Sequence, residues 1–426
     1  MTGIVIGLFI IGYLAIIFEH YFKINKSATA LITAVLCWTA IIITSSQKEV
    51  VVHELSEHLT SISEIVFFLL GAMTIVEIVD SHDGFQLITD RIRTEKKWRL
   101  IWLISIIAFF LSAVLDNLTT TIVMVTILNK LVKEKQTKWL LLGLVVIAAN
   151  AGGAWSPIGD VTTTMLWIGD QITPMNIIKQ TFLPSLICMI LPTIIVGYMI
   201  KGGIMLNADE IQNLNFNKNH VERNLIFFIG IGGLLFVPVF KTLTHLPPYM
   251  GMLLSLGILW VSTEIIHARK GDDEKGLLSV SHALRKIDTP SILFFFGILM
   301  AIASLEAINV LPELAQQLNS TLGSLENVAI GIGFLSAVFD NVPLVAALQG
   351  MYSLEIYPTD HYFWELLSYC AGTGGSCLII GSAAGVAVMG MEKINFFWYL
   401  KKISWVAVIG YLSGALFFIL QHNIFS

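Results

Sequence analysis

The stretch Ser112-Ala-Val-Leu-Asp116-Asn117 returns 224 residues later as Ser336-Ala-Val-Phe-Asp340-Asn341. Both copies lie inside strongly apolar segments. An ionisable side chain is costly in hydrocarbon, so an acid kept there marks a functional position by default. The same acid repeated in the same hexapeptide suggests two half-sites facing each other, the pattern of secondary transporters built from internal repeats.

The rest of the chain has the matching composition. Its 426 residues are 55% hydrophobic and 13% charged, with mean hydropathy +0.78. Soluble domains are about 25% charged, so a water-soluble fold is excluded. A membrane β-barrel needs short alternating segments, and the apolar runs here are long and continuous. The expected class is an all-α polytopic membrane protein. The net charge of -5 says little about partners, because placement of the charges matters more than their sum. Membrane lipid is the expected partner, with no nucleic acid. Cys37, Cys188, Cys370 and Cys377 all lie in apolar segments without a CxxC pair, which reads as packing rather than disulfides or zinc. The N-terminus lacks the basic region and cleavage site of a signal peptide, so its first segment reads as a retained span.

Twelve hydrophobic segments fall near 2–19, 27–45, 61–80, 98–132, 139–170, 176–200, 223–240, 247–266, 289–308, 325–353, 361–391 and 395–422. They form two sets of six. Segments 98–132 and 325–353 hold the Asp-Asn motif near their centres, and segments 139–170 and 361–391 are interrupted by Gly-Gly. If the Asp-Asn segments are re-entrant hairpins, each half crosses the membrane five times and the halves are inverted. The expected organisation is a first repeat over 1–200, a cytoplasmic connector over 201–222 and a second, inverted repeat over 223–426. Each repeat then has one re-entrant hairpin and one broken transmembrane helix.

Basic residues test this topology. With both termini outside, all of the 25 Lys and Arg except Lys48, Lys179 and Lys241 fall on the inner side, as the positive-inside rule requires. The first hairpin has basic residues at both ends. The second has none and is flanked by Glu326 and Glu355. One hairpin therefore enters from each face. Stretches 47–60 and 85–97 read as interfacial helices, with Glu49, His53, Glu54, Glu57 and His58 as a wet amphipathic face.

A hairpin tip at membrane depth presents helix ends and free carbonyls to a small ion. Asp116, Asn117 and Thr120 at the first tip, and Asp340 and Asn341 at the second, offer hard oxygen ligands suited to Na⁺ or Li⁺. The plain alternative is an Asp N-cap opening the second helix of each hairpin. The broken helices repeat too: the stretch Ala149 to Asp160, with Asn150, Gly152, Gly153, Ser156 and Pro157, aligns with Ala371 to Ser382, with Thr373, Gly374, Gly375 and Ser376, and Gly152, Gly153 and Gly159 match Gly374, Gly375 and Gly381. Glycine lets the chain leave helical geometry and proline removes a donor; helix packing is the alternative use of these glycines. Asp160 and the hydroxyls after it, Thr163 among them, have only Ser382 and small residues as counterparts. This weights an ion and proton site toward the first half, with Na⁺ expected at Asp116, Asn117 and Asp160. Glu77 and Asp80 in the third span are supporting acids, and His82 at its inner end is a candidate pH sensor. No Lys or Arg falls in this set, which disfavours an anion site.

At this point the chain resembles a known group. The SAVLDN and SAVFDN hairpins, the IAANAGGAWSPIGDVTTTM break and the FFLLGAMTIVEIVD span are similar to those of NhaD-type sodium/proton antiporters. That group belongs to the ion transporter superfamily, with arsenite exporters and dicarboxylate/sodium symporters. The resemblance implies a non-enzymatic exchanger of the inner membrane that exports Na⁺, often Li⁺, for protons by alternating access, with no cofactor. It also implies a homodimer in which hairpins and broken helices move against a scaffold. An anion carrier of the same superfamily is the alternative. An intramembrane aspartyl protease would need two paired Asp but would not explain the repeated hairpin and break. A passive Na⁺ channel is the third rival.

Overall fold

In the computed structural model, residues 2–19, 23–89, 96–200, 220–268, 276 and 278–425 are described. Most of the connector 201–222 lies outside them, as do Arg91, Arg93, Lys201, Lys218, Arg269, Lys270 and Lys275. The described residues are helical. In order they form α1 Thr2–Ile17, α2 Lys26–Thr44, α3 Lys48–Ser81 and the single turn α4 Gln86–Thr89. Then come α5 Lys97–Leu115, α6 Asn117–Leu131, α7 Lys135–Gly153, α8 Val161–Ile168 and α9 Pro174–Met199. The second half begins with α10 His220–Thr244, α11 Pro248–His267, α12 Val280–Lys286, α13 Thr289–Ala307 and α14 Val310–Leu322. It ends with α15 Leu325–Ser336, α16 Asn341–Met351, α17 Tyr362–Gly374, α18 Ala383–Glu392, α19 Phe396–Tyr399 and α20 Trp405–Phe425. Among the described residues, 8 helices are long and apolar enough to cross a membrane, so the chain is a multi-pass membrane protein.

Local signals explain the boundaries. Asn25 caps α2 by accepting from the Ser27 amide, and Asp288 caps α13, whose first turn holds Pro290. In α9, Pro184 and Pro192 are buried inside the helix. Their missing donors would cost a free-standing helix; here the α9 turns pack against α20.

One expectation is corrected. Stretch 47–60 is not a separate interfacial helix. It is continuous with the third span in the 34-residue α3. The stretch contains neither glycine nor proline, so nothing ends the helix where the polarity changes. At 1.5 Å per residue α3 is about 51 Å long, well beyond a hydrocarbon core of about 30 Å. Of stretch 85–97, Gln86–Thr89 is helical, and residues 90–95 lie outside the described part. The amphipathic α14 falls between the apolar segments 289–308 and 325–353, where hydropathy alone marks no helix.

Packing divides the helices into two groups. In the first, α2 lies along α13 and α1, while α3 contacts α10, α11, α12 and α13. In the second, α5, α6, α7 and α9 pack with α15, α17, α18 and α20. Helices α8 and α16 join the groups, because α8 touches α3, α16 and α17 and α16 touches α13 and α14.

Candidate ion site

The same contacts recur in the two halves. A Cβ on Gly152 would overlap the Phe109 carbonyl, and one on Gly374 would overlap the Gly333 carbonyl. Phe109 and Gly333 are 224 residues apart, like the two Asp-Asn motifs. At both places two helix backbones cross with no room for a side chain, so α7 lies against α5 and α17 against α15. After the crossing each helix breaks. Helix α7 ends at Gly153, and α17 passes through a short 3₁₀ turn, Gly375–Cys377. The chain restarts behind caps in equivalent positions: Asp160 accepts from the Thr162 amide, and Ser382 from the Gly385 amide.

The Asp-Asn motifs sit between paired helices. Asp116 separates α5 from α6 and caps α6, accepting from the Thr119 amide at 2.7 Å and the Thr119 hydroxyl at 2.9 Å. Asp340 caps α16 through the Val342 amide at 3.2 Å. Capping is therefore real at both. The backbones differ: Asp340 is unstrained at φ -59, whereas Asp116 has φ 103 and ψ 162, a region open essentially to glycine alone.

The next residue of each motif reaches one carboxylate. Asp160 is 3% exposed. Its Oδ2 accepts from Asn117 Nδ2 at 3.2 Å, and its Oδ1 accepts from Asn341 Nδ2 at 3.5 Å and from the Thr162 hydroxyl at 2.9 Å. Asn150, fully buried, ties the same cluster together. Its Oδ1 accepts from Asn117 Nδ2 at 3.1 Å, while its Nδ2 donates to the Ser376 and Ser382 hydroxyls, each at 2.9 Å. Asn117, Asn150, Asp160, Asn341, Ser376 and Ser382 thus form one polar knot drawn from both halves, buried at four of the six and half-buried at Asn117 and Asn341. Asn117 turns its amide hydrogens, not its carbonyl, toward Asp160.

The other candidates lie around or away from this knot. Thr163 shares a hydrogen bond with Ser368 at 2.9 Å, Ser156 accepts from the Ile158 amide at 3.4 Å, and the Pro157 carbonyl accepts from Thr164 at 3.0 Å. The Thr120 hydroxyl is buried with no hydrogen-bond partner among the described residues. Thr373 bonds back to its own helix at the Tyr369 carbonyl, and Gly153 and Gly375 pack on the backbone of Gly159 and Gly381. Glu77 on α3 pairs with Lys286 at 3.2 Å, and Asp80 beyond it is exposed; neither contacts the knot. His82 sits at the end of α3 against His267.

One premise of the sequence reading is overturned. Lys26 reaches Asp340, Nζ to Oδ2 3.2 Å, and lies 4.2 Å over the Phe294 ring. A lysine therefore does enter the candidate set. The two residues are 314 apart in sequence, and no local pattern reveals the pair. Glu365 is a further buried acid of the region. It is 0% exposed; Oε1 accepts from Asn176 at 2.6 Å, and Oε2 has no partner among the described residues.

A cavity of about 450 Å³ opens between α3, α8, α13 and α16, with Glu57, His58, Glu64 and Glu306 in its wall. Helices α8 and α16 both start at the knot, at Asp160 and Asn341, and end at this cavity. Glu57, Glu64 and Glu306 make the far end of those two helices acidic.

A family model described as citrate transporter matches residues 13–364. The chain is 50% identical over 419 residues to sodium/proton antiporter 1 of Arabidopsis thaliana, covering 98% of this chain and 72% of that protein. It is 49% identical over 417 residues to sodium/proton antiporter 2 of the same plant, covering 98% and 99%. With the Na(+)/H(+) antiporter NhaD of Vibrio cholerae it shares 29% identity over 462 residues, 98% of this chain and 92% of that one.

Proposed function

Because the chain belongs to the citrate transporter family and, with the NhaD-type sodium/proton antiporters, to the ion transporter superfamily, we propose that it exchanges Na⁺ and Li⁺ for protons across a cell membrane. The observation behind this reading is Asp160, a buried carboxylate reached by Asn117 from one Asp-Asn motif and Asn341 from the other. A buried charge must be paired or hydrogen-bonded. Here four donors serve it: Asn117, Asn341 and the amide and hydroxyl of Thr162. A small cation replaces the two Asn donors with its own positive charge, drawing on Asp160, Asp116 and the Asn117 carbonyl after the amide turns. A proton on the same carboxylate does the same. Either ion removes one negative charge from the Asp116 and Asp160 pair, and the empty pair carries that charge in full, so only loaded sites reorient, and cation and proton exchange by competition.

The architecture we infer is two repeats of inverted topology, with α5–α6 and α15–α16 as hairpins entering from opposite faces. Repetition of the glycine crossings and Asp caps supports it, as does the shortness of α15 and α16, 12 and 11 residues. Ion pairs support the sidedness. Lys138 with Glu392, Lys286 with Glu77, and Lys241 with Asp170 each join segments assigned to one face. Both termini then lie outside an inner membrane. By analogy with relatives, the second helix group moves against the first in a homodimer.

Lys26 gives the second half a different role. Its ammonium already neutralises Asp340, so the second motif needs no transported ion and the exchangeable site stays in the first half. Asp340→Asn in a Lys26→Gln background is therefore expected to unfold at a slightly higher temperature than Lys26→Gln alone, since a half-buried carboxylate left without its lysine keeps part of its desolvation cost. Equal unfolding temperatures would show that the pair is not coupled.

The assay for exchange is dye dequenching in everted vesicles holding an acid interior. NaCl and LiCl are expected to dissipate the gradient, and KCl and choline chloride to leave it. Direct competition also requires the apparent KM for Na⁺ to rise as pH falls, with Vmax unchanged. A pH-independent KM would exclude a shared site. Silence with every cation, with uptake of labelled carboxylates, would favour the anion carrier instead.

A further inference from the structure

Three helix ends meet at a cluster that the exchange mechanism does not use. His82 ends α3, His267 is the last residue of α11, and Glu222 lies in the first turn of α10. Their ligand atoms all lie within 4.8 Å of one another. His82 Nε2 is 3.2 Å from His267 Nε2, and His267 Nε2 is 2.7 Å from Glu222 Oε1. The rings stack at 5.0 Å between centroids with 5° between planes. His82 is 5% exposed and His267 2%.

The backbone fixes the orientation of His82 in this cluster. His82 Nδ1 lies 2.6 Å from the Ile78 carbonyl, which can only accept. Nδ1 therefore holds the hydrogen, and the Nε2 lone pair of a neutral His82 points at His267. His267 Nε2 can offer a single hydrogen, and both Glu222 and His82 stand ready to accept it. Two imidazole nitrogens and a carboxylate oxygen thus converge on one point. A ring hydrogen bonded to a backbone carbonyl is also how metal-ligating histidines are oriented. In a tetrahedral zinc site, with Zn–N of about 2.0–2.1 Å, neighbouring ligand atoms stand roughly 3.3 Å apart, close to the spacing of the two Nε2 atoms.

We propose that His82, His267 and Glu222 bind a divalent transition cation of the zinc class. Two imidazoles and a carboxylate suit such ions and not Na⁺ or Mg²⁺. Three protein ligands leave a fourth position for water. The ion ties the ends of α10 and α11 to the end of α3, inside the first helix group. It is a separate site from the Asp160 knot and acts on the group against which the knot would move.

The test uses the full chain in detergent, purified on a tag without histidines, stripped with EDTA and desalted. Zn²⁺ is titrated against a chelating dye, and Co²⁺ is added separately to read its visible bands. The expected result is one ion per chain, an intense tetrahedral Co²⁺ spectrum and a raised unfolding temperature. His267→Gln and His82→Gln are each expected to weaken Zn²⁺ binding at least as much as loss of a supporting group does, roughly 10–100-fold, and to abolish the Co²⁺ bands. His53→Gln, at an exposed histidine of α3, is expected to bind as the parent does. Should one histidine variant fold poorly, the other and Glu222→Gln still decide. Less than one tenth of an ion per chain, or binding unchanged in a folded variant, would overturn the site in favour of a proton shared between the two rings.

Discussion

Asp160→Asn is expected to abolish cation-driven proton movement while the protein still folds. Asparagine caps a helix about as well as aspartate, so the restart of the chain at α8 survives. What disappears is the charge that a cation or a proton neutralises. Removing one charge of a buried pair costs about 3–5 kcal/mol, which at 1.4 kcal/mol per decade is more than about 100-fold in ion affinity. Stability should fall moderately. The new amide turns a donor toward Asn117 or Asn341, which already present donors there, and one unsatisfied buried group costs about 1–3 kcal/mol. The measurement pairs dye dequenching in everted vesicles with thermal unfolding of the purified variant. Full exchange in a folded Asp160→Asn protein would remove this carboxylate from the mechanism.

Asp116→Gly separates the two roles that Asp116 has. As a cap it holds the Thr119 amide and hydroxyl. As a residue at φ 103 and ψ 162 it sits where a Cβ is unwelcome, at a cost of about 1–3 kcal/mol. Glycine at an N-cap loses only a few tenths of a kcal/mol, and its greater freedom in the unfolded chain costs about 0.5–1. Stability of Asp116→Gly should therefore be unchanged or raised, by up to about 2 kcal/mol. Exchange should be lost, as it should in Asp116→Asn. If Asp116 were a cap alone, the glycine variant would be stable and also active. Strain held at one motif and absent from the other, where Asp340 is relaxed, matches an ion site weighted toward the first half.

Much of the site is legible in the chain because repetition in an apolar background is a strong local signal. Asp116, Asn117, Asp340 and Asn341 stand out against the hydrocarbon-like sequence around them, and the Gly-Gly pairs recur at fixed spacing. The rule that flags Asp116 applies equally to Glu365, yet a lone acid three residues into an apolar helix reads like an interfacial one; only its complete burial beside Asn176 distinguishes it. Helix α3 reads as two elements because polarity changes near residue 60, whereas the backbone responds to glycine and proline, and neither is there. Lys26 counts in the sequence as a basic residue of an inner loop. Its reach to Asp340 depends on α2 lying along α13.

The sequence by itself determined that the chain is helical, that it lives in a membrane, where its helices break, and which acids are set within the apolar segments. Each of these is a local property: hydropathy over one span, or the conformational limits of one glycine or proline. Only the tertiary structure decided how the charges are shared. It brought Asn117 and Asn341 to one carboxylate, gave Asp340 a lysine, linked Asn150 to Ser376 and Ser382, and set His82 against His267. The energy of a buried charge depends on the few ångströms to its partner. Across a bundle those distances are set by how helices far apart in the chain pack, which no stretch of sequence records.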